Sequence, residues 1–164
     1  MAALEAGKVA PEISLKSTNG QAISLAEALK KGPVVAAFFK VNCPVCQFTF
    51  PFLERMYETY GDSKLTFLGI SQNDPGETRA FNKEYGVKFP VLIDEAGYPA
   101  SNQYGLTNVP TVFLISPGGK IQESSVGFAK ADLERIAAEA ARASGKPGVP
   151  LFKPGEVIPD YKPG

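Results

Sequence analysis

The run Pro33-Val34-Val35-Ala36-Ala37-Phe38-Phe39-Lys40-Val41 constrains the fold more than any other stretch of this chain. A continuous apolar segment of strand length is expected to be buried on both faces, as in the middle of an α/β sheet. Both cysteines of the chain follow it at once, in Cys43-Pro44-Val45-Cys46. From there Val45, Phe48, Phe52, Met56 and Tyr60 recur at three- and four-residue spacing, with Glu54, Arg55 and Glu58 between them. That is the pattern of one amphipathic helix, ending near Gly61. Pro51 lies inside it, lacks a backbone donor and is expected to kink it.

The remaining elements continue the alternation. Two short alternating runs flank Asn19-Gly20, a pair suited to a tight hairpin turn, and Ser24 is placed to cap a short helix through Leu29. Lys64 to Ser71 reads as a second buried strand. Asp74-Pro75 opens a helix with Phe81 and Tyr85 on its inner face, and Gly86 ends it. "FPVLID" reads as a third strand and "YPASNQYGL" as a short helix or turn. "PTVFLIS" and "KIQESSVG" form a hairpin through Pro117-Gly118-Gly119, and Lys130 to Ser144 is a last helix with Leu133, Ile136, Ala137 and Ala140 on one face. The expected fold is α/β: a mixed central sheet with helices on both faces and an N-terminal β-hairpin extension. One domain spans residues 1–145. Residues 146–164, with Lys-Pro-Gly three times, cannot be a helix or a central strand and read as an extended tail, with a peptide-like docking segment as the alternative. Leu151, Phe152, Val157, Ile158 and Tyr161 are its candidate pins.

Charge and composition then narrow the function. Lys+Arg and Asp+Glu both number 17, so nothing favours a polyanion or an anionic membrane as partner. No apolar run approaches the roughly 20 residues that span a bilayer. The N-terminal stretch lacks a basic n-region and an apolar h-region, so the expected location is the cytoplasm, or the periplasm if a leader has been removed. Histidine is absent, which excludes imidazole general-base chemistry and His-ligated metals. Two cysteines without histidine are too few for a tetrahedral zinc site within one chain.

The cysteine pair carries the chemistry. A strand running straight into Cys-x-x-Cys and a helix puts Cys43 at the helix N-terminus, where free N–H groups and the helix dipole favour a thiolate. Cys46 lies one turn further in, under Cys43 and more buried. Pro44 begins the helix without wasting a hydrogen bond. In such a pair one sulfur attacks a disulfide and the other resolves the mixed disulfide. Lys40 is placed to add a positive field if it turns toward the sulfur; the plainer alternative is a solvated lysine at a strand end. A purely structural staple is the competing use of the pair, but so small a loop removes little unfolded-state entropy, and a cytosolic staple is unusual. Val109-Pro110, just before a strand expected beside the first, is a candidate for a cis peptide bond. The alternative is an ordinary trans proline opening a strand.

Cys-Pro-Val-Cys at a strand-to-helix junction, a helix with an internal proline and a later Val-Pro-Thr resemble the thioredoxin superfamily. "GISQNDPGETRAFNKEYGVKFPVLIDE" through "YGLTNVPTVFLISPGGKI" is similar to the TlpA/ResA-type thiol–disulfide oxidoreductases, which overlap with the AhpC/TSA redoxin family. The similarity runs from about Val9 to Ala143. It implies that Cys43 is the nucleophile and Cys46 the resolving cysteine. Pro110 would be a cis-proline facing the disulfide and Val109 would offer its backbone to substrate, with Pro44 and Val45 at the same contact. Asn42 replaces the family's frequent Trp, Ala37 the buried Asp of thioredoxins, and Thr49 the Glu found in many TlpA/ResA-type members. Those carboxylates assist proton transfer from the buried thiol.

The expected activity is therefore reduction or exchange of disulfides in protein substrates by a monomer. It calls for a thiol electron donor and no cofactor beyond the Cys43–Cys46 couple. A peroxiredoxin-like peroxidase using Cys46 or Cys43 is the alternative enzyme. Its motif places Thr or Ser three residues before the peroxidatic cysteine, and here that position is Cys43. A binding module or chaperone with vestigial cysteines is the non-enzymatic alternative.

Overall fold

In the computed structural model, which describes residues 2–164, the apolar run forms the strand Val34–Phe39 with every residue buried. Two short strands precede it, β1 (Ser14–Lys16) and β2 (Ala22–Ser24), which makes it β3. The chain continues through α1 (Leu25–Leu29, before β3), α2 (Pro44–Tyr60), β4 (Thr66–Ser71), α3 (Pro75–Tyr85), β5 (Val91–Ile93) and α4 (Pro99–Gln103). It ends with β6 (Thr111–Ile115), β7 (Ile121–Val126), β8 (Phe128–Ala129), α5 (Lys130–Ser144) and β9 (Tyr161–Lys162).

The central sheet has the order β5-β4-β3-β6-β7. β4 runs parallel to β3 and β5 parallel to β4, whereas β6 is antiparallel to β3 and β7 to β6. β3 is thus the middle strand, which is why it needs apolar side chains on both faces. Val35, Ala37 and Phe39 face a core shared with α2, α3 and α5, through Phe50, Leu53, Phe81, Leu133 and Ile136. Val34, Ala36 and Phe38 face the other core, with Ile13, Leu25, Ala100 and Tyr104. Helices cover both faces, as the alternation of strand and helix patterns requires.

Local signals set the element ends. Ser24 accepts from the Glu27 N–H, and Asp74 accepts from the Glu77 N–H over 2.7 Å, each capping its helix. Gly86 terminates α3 with φ 70°, a left-handed conformation that glycine adopts without steric cost. α2 runs through Pro51 as one helix. The N-terminal hairpin pairs Ser14–Lys16 with Ala22–Ser24.

The tail folds back on the domain. Leu151 is buried, and Phe152 and Ile158 are partly buried against the α2–α5 core. Val157, expected as a pin, is 96% exposed and anchors nothing. The two-residue strands β8 and β9, which pair antiparallel, carry no signal in the sequence. β9 lies among Pro and Lys residues that argue for an open tail, and only its tertiary partner makes it a strand.

Candidate active site

β3 delivers the chain to the N-terminus of α2, and the site is built at that junction. Cys43 is the N-cap residue, with extended φ −93° and ψ 115°, and its sulfur accepts the Cys46 N–H over 3.3 Å. A sulfur therefore fills the position usually held by a capping oxygen. Cys46, one turn later, has no exposed surface and belongs to the α2–α5 core. Both thiols are free.

Burial pushes the Cys46 thiol well above the usual cysteine range, and its hydrogen bond with Cys43 adds to that. The backbone and charge of Lys40 act in the opposite direction. No carboxylate is among the groups acting on Cys46, as the residues at positions 37 and 49 foretell.

The second wall is the loop before β6. The Val109–Pro110 peptide is cis. The Cys43 thiol donates to the Val109 carbonyl over 3.4 Å, so the nucleophile candidate and the proline loop touch although 66 positions separate them. Gly127 donates to the Pro110 carbonyl over 2.7 Å, and Thr111 Oγ1 to the Asn108 carbonyl over 2.7 Å, which ties the loop to the sheet. Pro44 is exposed, Val45 and Val109 are half-buried and Pro110 is buried.

Two residues that the sequence did not single out hold the strand-to-helix turn. Asn73 Oδ1 accepts the Val41 N–H over 3.0 Å, and Gln47 Nε2 donates to the Val41 carbonyl over 3.0 Å. Asn73 is itself fixed: its N–H donates to Ser71 Oγ over 3.0 Å, and Ser71 Oγ and Thr78 Oγ1 share a hydrogen bond of 2.7 Å. The peptide before the cysteines is thus held by both α3 and α2. Asn73 stands just before the Asp74-Pro75 helix entry, where a side-chain amide is an ordinary turn residue. Nothing in the sequence tells that it reaches Val41.

No group of three or more His, Cys, Asp or Glu side chains arranged to hold a metal ion occurs among the described residues. Thr49, on the first turns of α2, donates its hydroxyl to the Val45 carbonyl over 2.7 Å, which leaves that hydroxyl engaged within the helix. Among the described residues, no helix is long and apolar enough to cross a membrane.

The family model described as AhpC/TSA matches residues 6–124. The chain is similar to the thiol-disulfide oxidoreductase ResA of Halalkalibacterium halodurans, at 32% identity over 74% of this chain and 69% of that protein. Among solved structures, the thioredoxin domain of a thiol-disulfide oxidoreductase from Bacteroides vulgatus superposes with a TM-score of 0.72 at 23% identity, covering 83% of this chain and 97% of that one. The peroxidoxin BcpB of Mycobacterium tuberculosis superposes with a TM-score of 0.71 at 20% identity, covering 85% and 97%. The backbone alone therefore does not separate disulfide exchange from peroxide reduction; the cysteine geometry and the ResA likeness favour exchange.

Proposed function

Since the chain belongs to the AhpC/TSA family, and within it to the thioredoxin-like TlpA/ResA type, we propose that Cys43 and Cys46 form its working dithiol. The protein is a thiol–disulfide oxidoreductase. The observation that carries the assignment of roles is the asymmetry of the pair: Cys43 is half-exposed and accepts a helix N–H, whereas Cys46 is fully buried behind it.

The cycle follows from that asymmetry. The Cys43 thiolate attacks one sulfur of a substrate disulfide. A Cys43–substrate bond forms, the substrate S–S bond breaks, and the other substrate sulfur leaves as a thiolate. Cys46 then gives up its proton and attacks Cys43 Sγ, forming the Cys43–Cys46 disulfide and releasing the second substrate sulfur as thiolate. Two electrons pass from the dithiol to the substrate. Because no carboxylate acts on Cys46, its proton goes to solvent before the attack, and the released substrate thiolate takes up its own proton from solvent. A thiol donor returns the two electrons and restores the dithiol, so the cycle needs no cofactor beyond the couple. Val109 and Pro110, with Pro44 and Val45, border Cys43 where a substrate disulfide must lie. The direction assigned is reduction of disulfides in protein substrates by a monomer. The cytoplasm, with its reducing thiol pool, is the compartment that suits it.

Equilibration in glutathione redox buffers, followed by thiol alkylation and intact mass, tests this reading. A reversible two-electron transition near or below about −200 mV is expected of a dithiol reductase. Failure to form an intramolecular disulfide, together with peroxide oxidation of one cysteine to the sulfenic acid, would overturn it in favour of a peroxidase.

A further inference from the structure

We propose that residues 160–164 are an internal occupant of the surface on which protein substrates dock beside Cys43, and that a substrate segment must displace them. The inference rests on Cys43 being the attacking thiol.

The path of the tail carries the argument. After α5 it crosses α2, where the Val149 N–H donates to Tyr60 Oη over 2.8 Å and Arg55 Nη1 donates to the Leu151 carbonyl over 2.9 Å. Leu151 is 6% exposed, and the Phe152 ring lies 5.0 Å from that of Phe52. Glu156 is paired with Arg55. This part is fastened to the domain.

Ile158 is still partly buried against the α2–α5 core, but around and beyond it the contacts change character. Val157 points to solvent and Tyr161 is more than half exposed. Lys130 donates its N–H to the Asp160 carbonyl over 2.9 Å, and Tyr161 and Lys162 pair with Ala129 and Phe128. The Lys162 ammonium lies 4.9 Å from the ring centre of Phe48 on α2. Gly127, with φ +76°, lets the tail pass: a Cβ there would stand 2.5 Å from the Lys162 carbonyl oxygen. Gly164 reaches the proline loop itself. Its carbonyl accepts from Asn108 Nδ2 over 3.4 Å, and a side chain on it would collide with the Val109 carbonyl oxygen. That oxygen is the acceptor of the Cys43 thiol.

The last residues thus form an added strand along one flank of Cys43, made of Phe48, Gly127–Ala129 and Asn108–Val109. An extended peptide adding to a short strand edge is a general mode of recognition, in which main-chain bonds hold the ligand. A protein disulfide attacked by Cys43 has its flanking chain on the surfaces around that sulfur, because the reacting sulfurs must approach to roughly 3–3.5 Å. The tail already holds the β8 edge and Val109. Its anchor through Ile158 keeps it close, and its shallow seat from Asp160 onward lets it leave. A small disulfide needs no such flank and reaches Cys43 around the strap.

The experiment compares the full chain with one lacking residues 160–164, which keeps Leu151, Phe152 and Glu156. Reduction of insulin and of oxidised glutathione is measured for both. The expected result is a rise of about tenfold in kcat/KM for insulin, the factor for a docked form that leaves about a tenth of the molecules open. The glutathione rate should not change. A synthetic peptide of residues 157–164, added to the shortened chain, should slow insulin reduction again. Lys162→Pro keeps the chain length, removes a β9 donor and should act in the same direction, which covers a shortened chain that folds poorly. An insulin rate that is unchanged or lower, with glutathione reduction intact, would overturn the strap. Loss of both activities in the unaltered protein would instead overturn the Cys43 assignment beneath it.

Discussion

Arg55 and Glu156, 101 positions apart, meet in a two-point ion pair, Nη1 to Oε1 at 2.9 Å and Nη2 to Oε2 at 3.0 Å. Parallel bonds of this kind fit the planar guanidinium to the carboxylate. The Arg55 guanidinium, followed by the Lys153 N–H, holds the Glu156 carboxyl down at about 2, against an ordinary value near 4.5. A carboxyl lowered in the folded state stabilises it fully above its unfolded value and loses that contribution as pH falls through the folded one. The tail should therefore stay seated above about pH 4.5 and loosen between there and about pH 2. NMR signals of Leu151 and Phe152 followed through this range should move in the unaltered protein. In Glu156→Gln they should already be displaced at neutral pH and stay flat.

The height of the Cys46 thiol sets a second expectation. With burial as the leading cause and no carboxylate to relieve it, the resolving step should be limited by the scarce Cys46 thiolate. Its rate should rise about tenfold per pH unit through the neutral and mildly alkaline range, as the fraction of an acid far below its pKa does. Stopped-flow decay of a preformed Cys43 mixed disulfide measures it. A rate independent of pH would mean that another group takes the proton.

Asn73 offers a test of positioning without touching a sulfur. Asn73→Ala leaves the half-buried Val41 N–H without its acceptor, a loss of about 1–3 kcal/mol for a buried donor. The turn that places Cys43 should loosen, so the Val41 amide should exchange its hydrogen faster and the first attack should slow. Asn73→Asp, which keeps the acceptor but sets a second carboxylate beside Glu77 Oε1, should restore both in part. A purely structural role would lower stability and leave the rate of attack as it was.

Glu54 carries a cost that the fold tolerates. It is buried at the α2–β5 side of the core, and its Oε1 accepts the Lys88 N–H over 2.7 Å. Its Oε2 has no partner among the described residues. Burial, and then Glu58 nearby, push its carboxyl above the ordinary range, against the pull of the Lys88 N–H. A raised carboxyl penalises the folded state as pH rises above the unfolded value. Glu54→Gln keeps the acceptor for Lys88 and removes the charge. It should melt higher than the unaltered protein at pH 7 and equal to it near pH 4.

These relationships divide by what a linear text can carry. β3, α2 and α5 are legible because each must satisfy one strong periodic demand: burial on both faces for Val34–Phe39, a single apolar stripe for the two helices. The turn residues Ser24, Asp74 and Gly86 act within three or four positions of themselves, so their roles are also readable in place. The proximity of Cys43 and Cys46 is local in the same way. The Asn73–Val41 bond, the Arg55–Glu156 pair and β9 are not, because each depends on where a distant segment arrives. A tail of Pro, Gly and Lys reads as open chain until the β8 edge and the Phe48 ring are known to lie beneath it.

The division of labour between the two cysteines is the central claim, and trapping tests it most directly. Cys46→Ser and Cys43→Ser variants would each be mixed with a disulfide-bearing protein, quenched with acid and weighed intact. Cys46→Ser should accumulate a stable mixed disulfide through Cys43, released by dithiothreitol, while Cys43→Ser should form none on the same timescale. Trapping through Cys46 in the Cys43→Ser variant, at a rate matching that of Cys43, would contradict the account, because a fully buried thiol would then be the attacking group.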